Sequence, residues 1–316
     1  MSPRLRVLTV LGLGFFGLAF IAARVGRLVL RKLRGLPFQP TRMDTLAAAG
    51  AVVAAVLLIY GAFVEPRWLA VETVELPILA PGTGPVTIVQ ISDLHSTGRP
   101  VLEPEVPARV AELEPDLIVF TGDAVNHSDG LPIVHELLAQ LAQLAPVYAV
   151  RGNRELGQAA GIDVVGSTGA RELEGEAVDL EIRGARLRLV GSGTPEGWSR
   201  VRRLLMTTPG DALPIYLGHT PDAVVDVAHW GAELVLAGHT HGGQVALPFY
   251  GALFTASRFD KRFESGLYRV DGTWLYVNRG LGLQANLPPI RFLARPEISH
   301  IVLQPAPDDP AGRLTP

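Results

Sequence analysis

Five short aliphatic runs, each closed by residues able to chelate, constrain this chain more than any other feature. Ile88-Val89-Gln90-Ile91-Ser92 leads into Asp93-Leu94-His95, and Leu117-Ile118-Val119-Phe120 leads into Gly122-Asp123. Val147-Tyr148-Ala149-Val150 precedes Gly152-Asn153, and Ile215-Tyr216-Leu217 precedes Gly218-His219. Leu234-Val235-Leu236-Ala237 precedes Gly238-His239-Thr240-His241-Gly242-Gly243-Gln244. Runs of this length and composition read as buried strands. Open α/β sheets gather ligands just beyond the carboxyl ends of their strands. The pattern therefore brings Asp93, Asp123 and Asn153 together with His95, His219, His239 and His241 at one edge.

A mixed nitrogen and oxygen donor set suits divalent transition metals such as Mn, Fe or Zn. Two ions roughly 3.5–4 Å apart need a shared ligand, and such a pair can clamp an in-line displacement at phosphorus. Asp123, a carboxylate after a glycine in the middle of the set, is the expected bridge. One ion is then expected on Asp93, His95, Asp123 and His241, and the other on Asp123, Asn153, His219 and His239. Any one of these motifs alone is an ordinary turn or helix start; five in this order are not. His127, His135, His229 and His300 fall outside the motifs and are expected on the surface or in packing roles.

The order D-x-H, G-D, G-N, G-H, G-H-x-H resembles the five motifs of the calcineurin-like metallophosphoesterases, from about Val86 to about Leu303. Glu65-Pro66-Arg67-Trp68, Arg279-Gly280-Leu281-Gly282 and Pro296-Glu297-Ile298 make the chain similar to the membrane-anchored bacterial branch of that family. The resemblance implies an α/β fold, an αββα four-layer sandwich of two mixed sheets. It also implies two divalent metal ions and hydrolysis of a phosphate ester or pyrophosphate by a metal-bridging water.

One position departs from the family. Most members carry a histidine after G-N, thought to donate a proton or hydrogen bond to the phosphoryl group, where this chain has Arg154. Arginine stays protonated and cannot serve as a general acid near neutral pH. It can grip a phosphate oxygen through its planar fork and stabilise developing negative charge. The same Asn-Arg pairing is a feature of the UDP-diacylglucosamine hydrolases of lipid A synthesis. Asn153 and Arg154 are therefore expected to be catalytic, on a phosphodiester or pyrophosphate, lipid-linked substrates included. A local ion pair with Glu155 is the competing role for Arg154. Two other readings of the whole chain stay open: a UDP-2,3-diacylglucosamine pyrophosphatase-like enzyme, and an inactive metal-binding scaffold that has lost the usual histidine.

The amino-terminal fifth is a different material. Val7 to Ala23 is a charge-free apolar run of 17 residues, and Thr45 to Val64 is another of 20. Both are expected to form transmembrane helices within an anchor over residues 1–67. A cleaved signal peptide competes for the first run, given Arg4, Arg6 and the small residues Ala22-Ala23. Between the runs lie Arg24, Arg27, Arg31, Lys32, Arg34 and Arg42 against Asp44. The positive-inside rule places that linker in the cytoplasm and the chain after Val64 on the periplasmic or extracytoplasmic side. Residues 1–67 carry a net charge of +7, which leaves −10 for the rest. So acidic a remainder suits membrane lipids at its cationic anchor and no nucleic acid.

Residues 68–304 make one domain by length, and the Pro/Asp-rich residues 305–316 are expected to form a disordered tail. Glu105 to Leu113 and Leu131 to Leu144 have helical spacing. Arg183-Gly184-Ala185-Arg186 and Asp271-Gly272 read as hairpin turns. Gly191-Ser192-Gly193-Thr194 reads either as a strand end facing the metal edge or as a plain turn. Leu247, Phe249, Tyr250, Leu253 and Phe254, after the last motif, suit an acyl groove or ordinary core packing. The absence of cysteine excludes disulfides and thiolate metal sites.

Overall fold

The computed structural model describes residues 3–37, 39–157, 159–193, 197–285 and 287–307, without the side chains of 3–15 and 18. The chain divides into two compact units, Met1–Glu65 and Pro66–Pro316. In the first unit, helix α1 (Pro3–Leu33) packs against α2 (Arg42–Ile59). Thr41 caps α2, its hydroxyl accepting from the Asp44 N–H while the Asp44 carboxylate accepts from the Thr41 N–H, a reciprocal capping box. The Asp44 carboxylate also pairs with Arg27 and, at 3.3 Å, with Arg24. The single acidic residue of the basic linker is thus the one that joins the two helices.

The α2 helix runs on through a π turn at Tyr60–Val64 and a 3₁₀ turn at Glu65–Arg67. Among the described residues, this Arg42–Arg67 segment is the one helix long and apolar enough to cross a membrane. Leu46, Val52, Val53, Val56 and Leu58 on it are all exposed. Of the two spanning helices expected, one passes this test of length and composition. The run expected over 7–23 lies inside α1, which continues through the charged residues Arg24, Arg27, Arg31 and Lys32, and the side chains of its first half lie outside the described residues.

The second unit holds β1 (Ala70–Leu79), β2 (Val86–Ile91), α3 (Val106–Ala111), β3 (Leu117–Phe120), α4 (Leu131–Leu141) and β4 (Val147–Ala149). After these come α5 (Asn153–Leu156), β5 (Arg171–Glu172), β6 (Glu176–Ile182), β7 (Ala185–Gly191), α6 (Trp198–Met206) and β8 (Ala212–Leu217). The series ends with α7 (Val224–Val227), β9 (Leu234–Ala237), β10 (Ala246–Leu247), β11 (Gly251–Ala252), β12 (Gly266–Val270), β13 (Thr273–Val277) and β14 (Glu297–Pro305).

Two six-stranded sheets result, β1-β14-β2-β3-β4-β5 and β12-β13-β9-β8-β7-β6. Both are mixed: β2, β3 and β4 run parallel, as do β7, β8, β9 and β13, while β14 against β2 and the β6–β7 and β12–β13 hairpins are antiparallel. Arg183-Gly184 and Asp271-Gly272 make the two hairpin turns in the left-handed region such turns require. Strands buried on both faces need continuous apolar runs, which is why β3 and β9 are apolar throughout. Three apolar clusters alternate with the sheets. One joins Ile118 and Phe120 to Leu137 and Leu141 of α4, one fills the space between the sheets around Ile88, Val119, Ile215 and Leu236, and one joins Val235 and Val277 to α6 and α7. This helix–sheet–sheet–helix stacking turns the carboxyl ends of β2, β3, β4, β8 and β9 toward one edge. At the far end, Pro305, the first residue of the expected tail, closes β14 opposite Leu79, and residues 308–316 lie outside the described residues.

Candidate metal centre

Seven side chains meet where those five strands end. Asp93 and His95 follow β2, Asp123 follows β3, Asn153 opens α5 after β4, His219 follows β8, and His239 and His241 follow β9. Asp93, His95, Asp123, His239 and His241 all have positive φ, between 46° and 73°. Left-handed backbone is uncommon outside glycine, though Asp and His tolerate it better than most, and it concentrates at functional sites. Glycine is required where the loops touch: a Cβ on Gly152 would strike the Asp123 carboxylate, and one on Gly238 would strike Ser92 and Asp93.

The donor atoms form two groups, Asp93–His95–His241 and Asp123–His219–His239, each within the span of one ion's coordination sphere. In the first, His95 Nε2 and His241 Nε2 are 3.0 Å apart and Asp93 Oδ1 lies 3.3 Å from His241 Nε2. In the second, His239 Nδ1 and Asn153 Oδ1 each lie 3.0 Å from His219 Nε2. Asp123 Oδ2 stands 3.6 Å from His95 Nε2 and 3.4 Å from His219 Nε2, so one oxygen serves both groups. Its other oxygen accepts the Arg154 N–H at 2.8 Å. Asp93 Oδ1 is fully buried without a hydrogen-bond partner, a cost that a cation would remove. This orphaned oxygen, with imidazole nitrogens converging on it, fits a two-divalent-metal site.

Groups behind the donors orient them. His95 Nδ1 donates to Asn126 Oδ1 (2.9 Å) and His219 Nδ1 to the Thr121 carbonyl (2.7 Å), which turns both Nε2 atoms inward. Asp93 Oδ2 accepts from Ser92 Oγ (2.5 Å) and the His239 N–H (2.9 Å). Arg291, fully buried, donates to the carbonyls of Arg279, Gly280, Gly282 and Ala294 and touches His241 Nδ1. The sequence reading missed Asn126, Ser92 and Arg291. Nearness to Asp123 and Asp93 could have signalled the first two; nothing local marks Arg291.

Charge follows the geometry. Burial alone would raise the Asp93 carboxyl, but His241, His219 and His95 outweigh it and hold Asp93 well below the carboxylate range. Burial alone would lower His219, but Asp123 and Asp93 push it up to about 10. His95 and His239 go the other way, to about 4, chiefly through burial and then through His241 and His219 respectively. Without metal, His219 carries positive charge between the two carboxylates.

Arg154 does not pair with Glu155. The Glu155 carboxylate is taken by the N–H groups of Asp123, Ala124 and Gly152, at 2.7–3.0 Å. Arg154 is buried, its Nη2 donating to the Asn126 carbonyl at 3.2 Å and its Nε left without a partner. The histidines outside the motifs have local roles or none. His135, half-buried, and His229, exposed, bond the carbonyls of Asp163 and Val225, His300 meets Thr73 Oγ1, and His127 is exposed. At β7, the residues after Gly191 bond Glu174 rather than the centre, and Thr194 lies outside the described residues. Phe249 and Phe254 are exposed around the β10–β11 hairpin and form no core.

The calcineurin-like phosphoesterase family matches residues 86–243, the stretch that carries all seven donors. The chain belongs to the calcineurin-like phosphoesterases. It is 33% identical over 277 residues to the metallophosphoesterase YkuE of Bacillus subtilis, covering 81% of this chain and 93% of that one. It is 29% identical to the phosphodiesterase YaeI of Escherichia coli, covering 77% and 92%. It is 26% identical to the UDP-2,3-diacylglucosamine pyrophosphatase LpxG of Chlamydia muridarum, covering 78% and 94%. This phosphoesterase is thus a metal-dependent hydrolase whose relatives include both a named diesterase and a named pyrophosphatase.

Proposed function

We propose that the protein is a membrane-anchored two-metal phosphohydrolase that cleaves a phosphodiester or pyrophosphate. The observation that carries this reading is the single Asp123 oxygen shared by two donor groups beside the orphaned Asp93 Oδ1. Asp93, His95, Asp123 and His241 would hold one ion, and Asp123, Asn153, His219 and His239 the other. When bound, two such ions supply Lewis-acid polarisation of a phosphoryl oxygen and a water of lowered pKa. Asn153 and Arg154 act on the substrate side. The unpartnered Arg154 Nε is a donor that a phosphoryl oxygen can satisfy, and a second phosphate or diester oxygen suits the guanidinium fork.

The anchor reading rests on the Arg42–Arg67 helix and on the basic residues between the two apolar runs, which favour a catalytic domain outside the cytoplasm. Metal content and bis-p-nitrophenyl phosphate hydrolysis with added Mn test the enzyme reading. About two ions per chain and metal-dependent turnover are expected; fewer than two ions on reconstitution would sink the two-metal assignment.

A pyrophosphatase acting on a nucleotide-linked diacylglucosamine is the second reading, favoured by the Asn153-Arg154 pair and by the likeness to LpxG. It needs a cytoplasmic catalytic domain. Reporter fusions after Val64, one active only in the periplasm and one only in the cytoplasm, decide between the two.

A further inference from the structure

Beside the centre, on the His95 side, the loop after β2 and the loop after β13 enclose a cavity of about 120 Å³. His95 and Asn126 form the wall shared with the centre, and Leu94, Leu102, Leu281 and Leu283 line the remainder together with Ser96, Thr97 and Arg99. Val101 stands exposed at the rim. Asn126 binds the two walls together, its Oδ1 meeting His95 Nδ1 at 2.9 Å and its Nδ2 donating to the Leu283 carbonyl at 3.1 Å. Glu103, nearly buried, fixes the opposite wall. Its carboxylate accepts from Ser96 Oγ at 2.8 Å and from the N–H groups of Val101 and Leu102 at 2.7 and 3.1 Å. The cavity is thus preformed, mainly apolar and continuous with the metal donors, and none of its leucines has a part in holding metal or phosphoryl oxygens.

We propose that this cavity receives an aliphatic arm of the substrate, an alkyl or acyl chain carried on the group esterified to phosphorus. The proposal rests on the phosphohydrolase reading and narrows its substrate class to amphiphiles. A polar leaving group would lose hydration against the four leucines, whereas each methylene buried there strengthens binding about fourfold, and Arg99 and Thr97 on the same lining suit the polar end of an amphiphile. The volume admits the first few methylenes of a chain.

The test is calorimetric binding of methyl-, propyl- and hexylphosphonate to the full-length, Mn-loaded protein in nanodiscs, with empty nanodiscs as the blank. Hexylphosphonate is expected to bind about tenfold to a hundredfold more tightly than methylphosphonate. Leu283→Glu and, separately, Val101→Glu should bring that ratio toward one. The ratio is insensitive to the fraction of protein that is folded or loaded. Equal affinities along the series, or a ratio unchanged in both variants, would overturn the proposal. Because the slope is read from binding, failure of the phosphohydrolase reading shows separately, as absent hydrolysis of bis-p-nitrophenyl phosphate.

Discussion

The two halves of the centre use the same donor chemistry but differ in access. Asp93, His95 and His241 are all at most 3% exposed, and both imidazoles are backed by a neighbour, Asn126 or Arg291. In the other half His219 is as deeply set, but His239 is only half-buried and Asn153 is exposed. One half is built to keep an ion and the other to present one. Buried donors with ordered partners bind tightly because little must be reorganised, while an open half leaves room for substrate oxygens.

The largest expected effect tests whether the halves share a ligand. Asp123→Ala should lower kcat/KM by at least about 10³-fold, the scale on which a central electrostatic element acts. Elemental analysis should find both ions depleted; loss of only one would break the comparison at its bridge.

Next comes the substrate side. Arg154→Ala should cost about 10²- to 10³-fold in kcat/KM on a diester or pyrophosphate with metal content unchanged. Arg154→Lys should recover little, because a point charge does not replace the planar fork. Arg154→His should restore some monoesterase activity, since imidazole can donate a proton near neutral pH. Assays of the three variants on a monoester and a diester check this, and rates equal to the parent throughout would remove Arg154 from the mechanism.

Sharper still is the contrast between the two histidines of Gly238–His241. His241→Ala should weaken its ion by about tenfold or more beyond what His239→Ala does to the other, because a well-supported ligand is lost in one case only. Competition with a fluorescent chelator measures both constants. Equal losses would mean that burial does not set affinity here.

The last effect is a slope with pH rather than a single loss. His219, raised to about 10, holds its proton in the metal-free protein through neutral pH, whereas His95 and His239, near 4, are already neutral. Metal must displace the His219 proton, so affinity should rise with pH from about 6 to 10, up to tenfold per unit, and level off above. Titrations in buffers of different ionisation enthalpy should report about one proton released per chain near pH 8. No release would place the proton elsewhere.

The convergence of the seven side chains was legible because strand ends are local: an aliphatic run followed by glycine and a chelating residue fixes both the element and the edge. Both hairpin turns and the positions of α3 and α4 were legible for the same reason. What was not legible depends on residues distant in sequence. Arg291 reaches the centre only through a loop held by four carbonyls, and the leucine cavity joins residues near 100 to residues near 283. The Arg154–Glu155 pair looked reasonable by adjacency and failed because three backbone N–H groups claim the Glu155 carboxylate first. The second spanning helix was expected from composition alone, and α1 proved to run on into the basic linker.

The topology has a consequence for the folded state as a whole. Asp93, His95, Asp123 and Asn153 come from one sheet, His219, His239 and His241 from the other, and His95 meets His241 across 146 residues of chain. An ion held between them is a reversible cross-link, closing a long loop much as a disulfide would and removing a comparable amount of chain entropy from the unfolded ensemble. A chain without cysteine thereby has a covalent-like staple that a chelator can open. Stripped of metal, it should melt at a lower temperature and over a broader range, with the two sheets beginning to part at the edge where chemistry would otherwise occur.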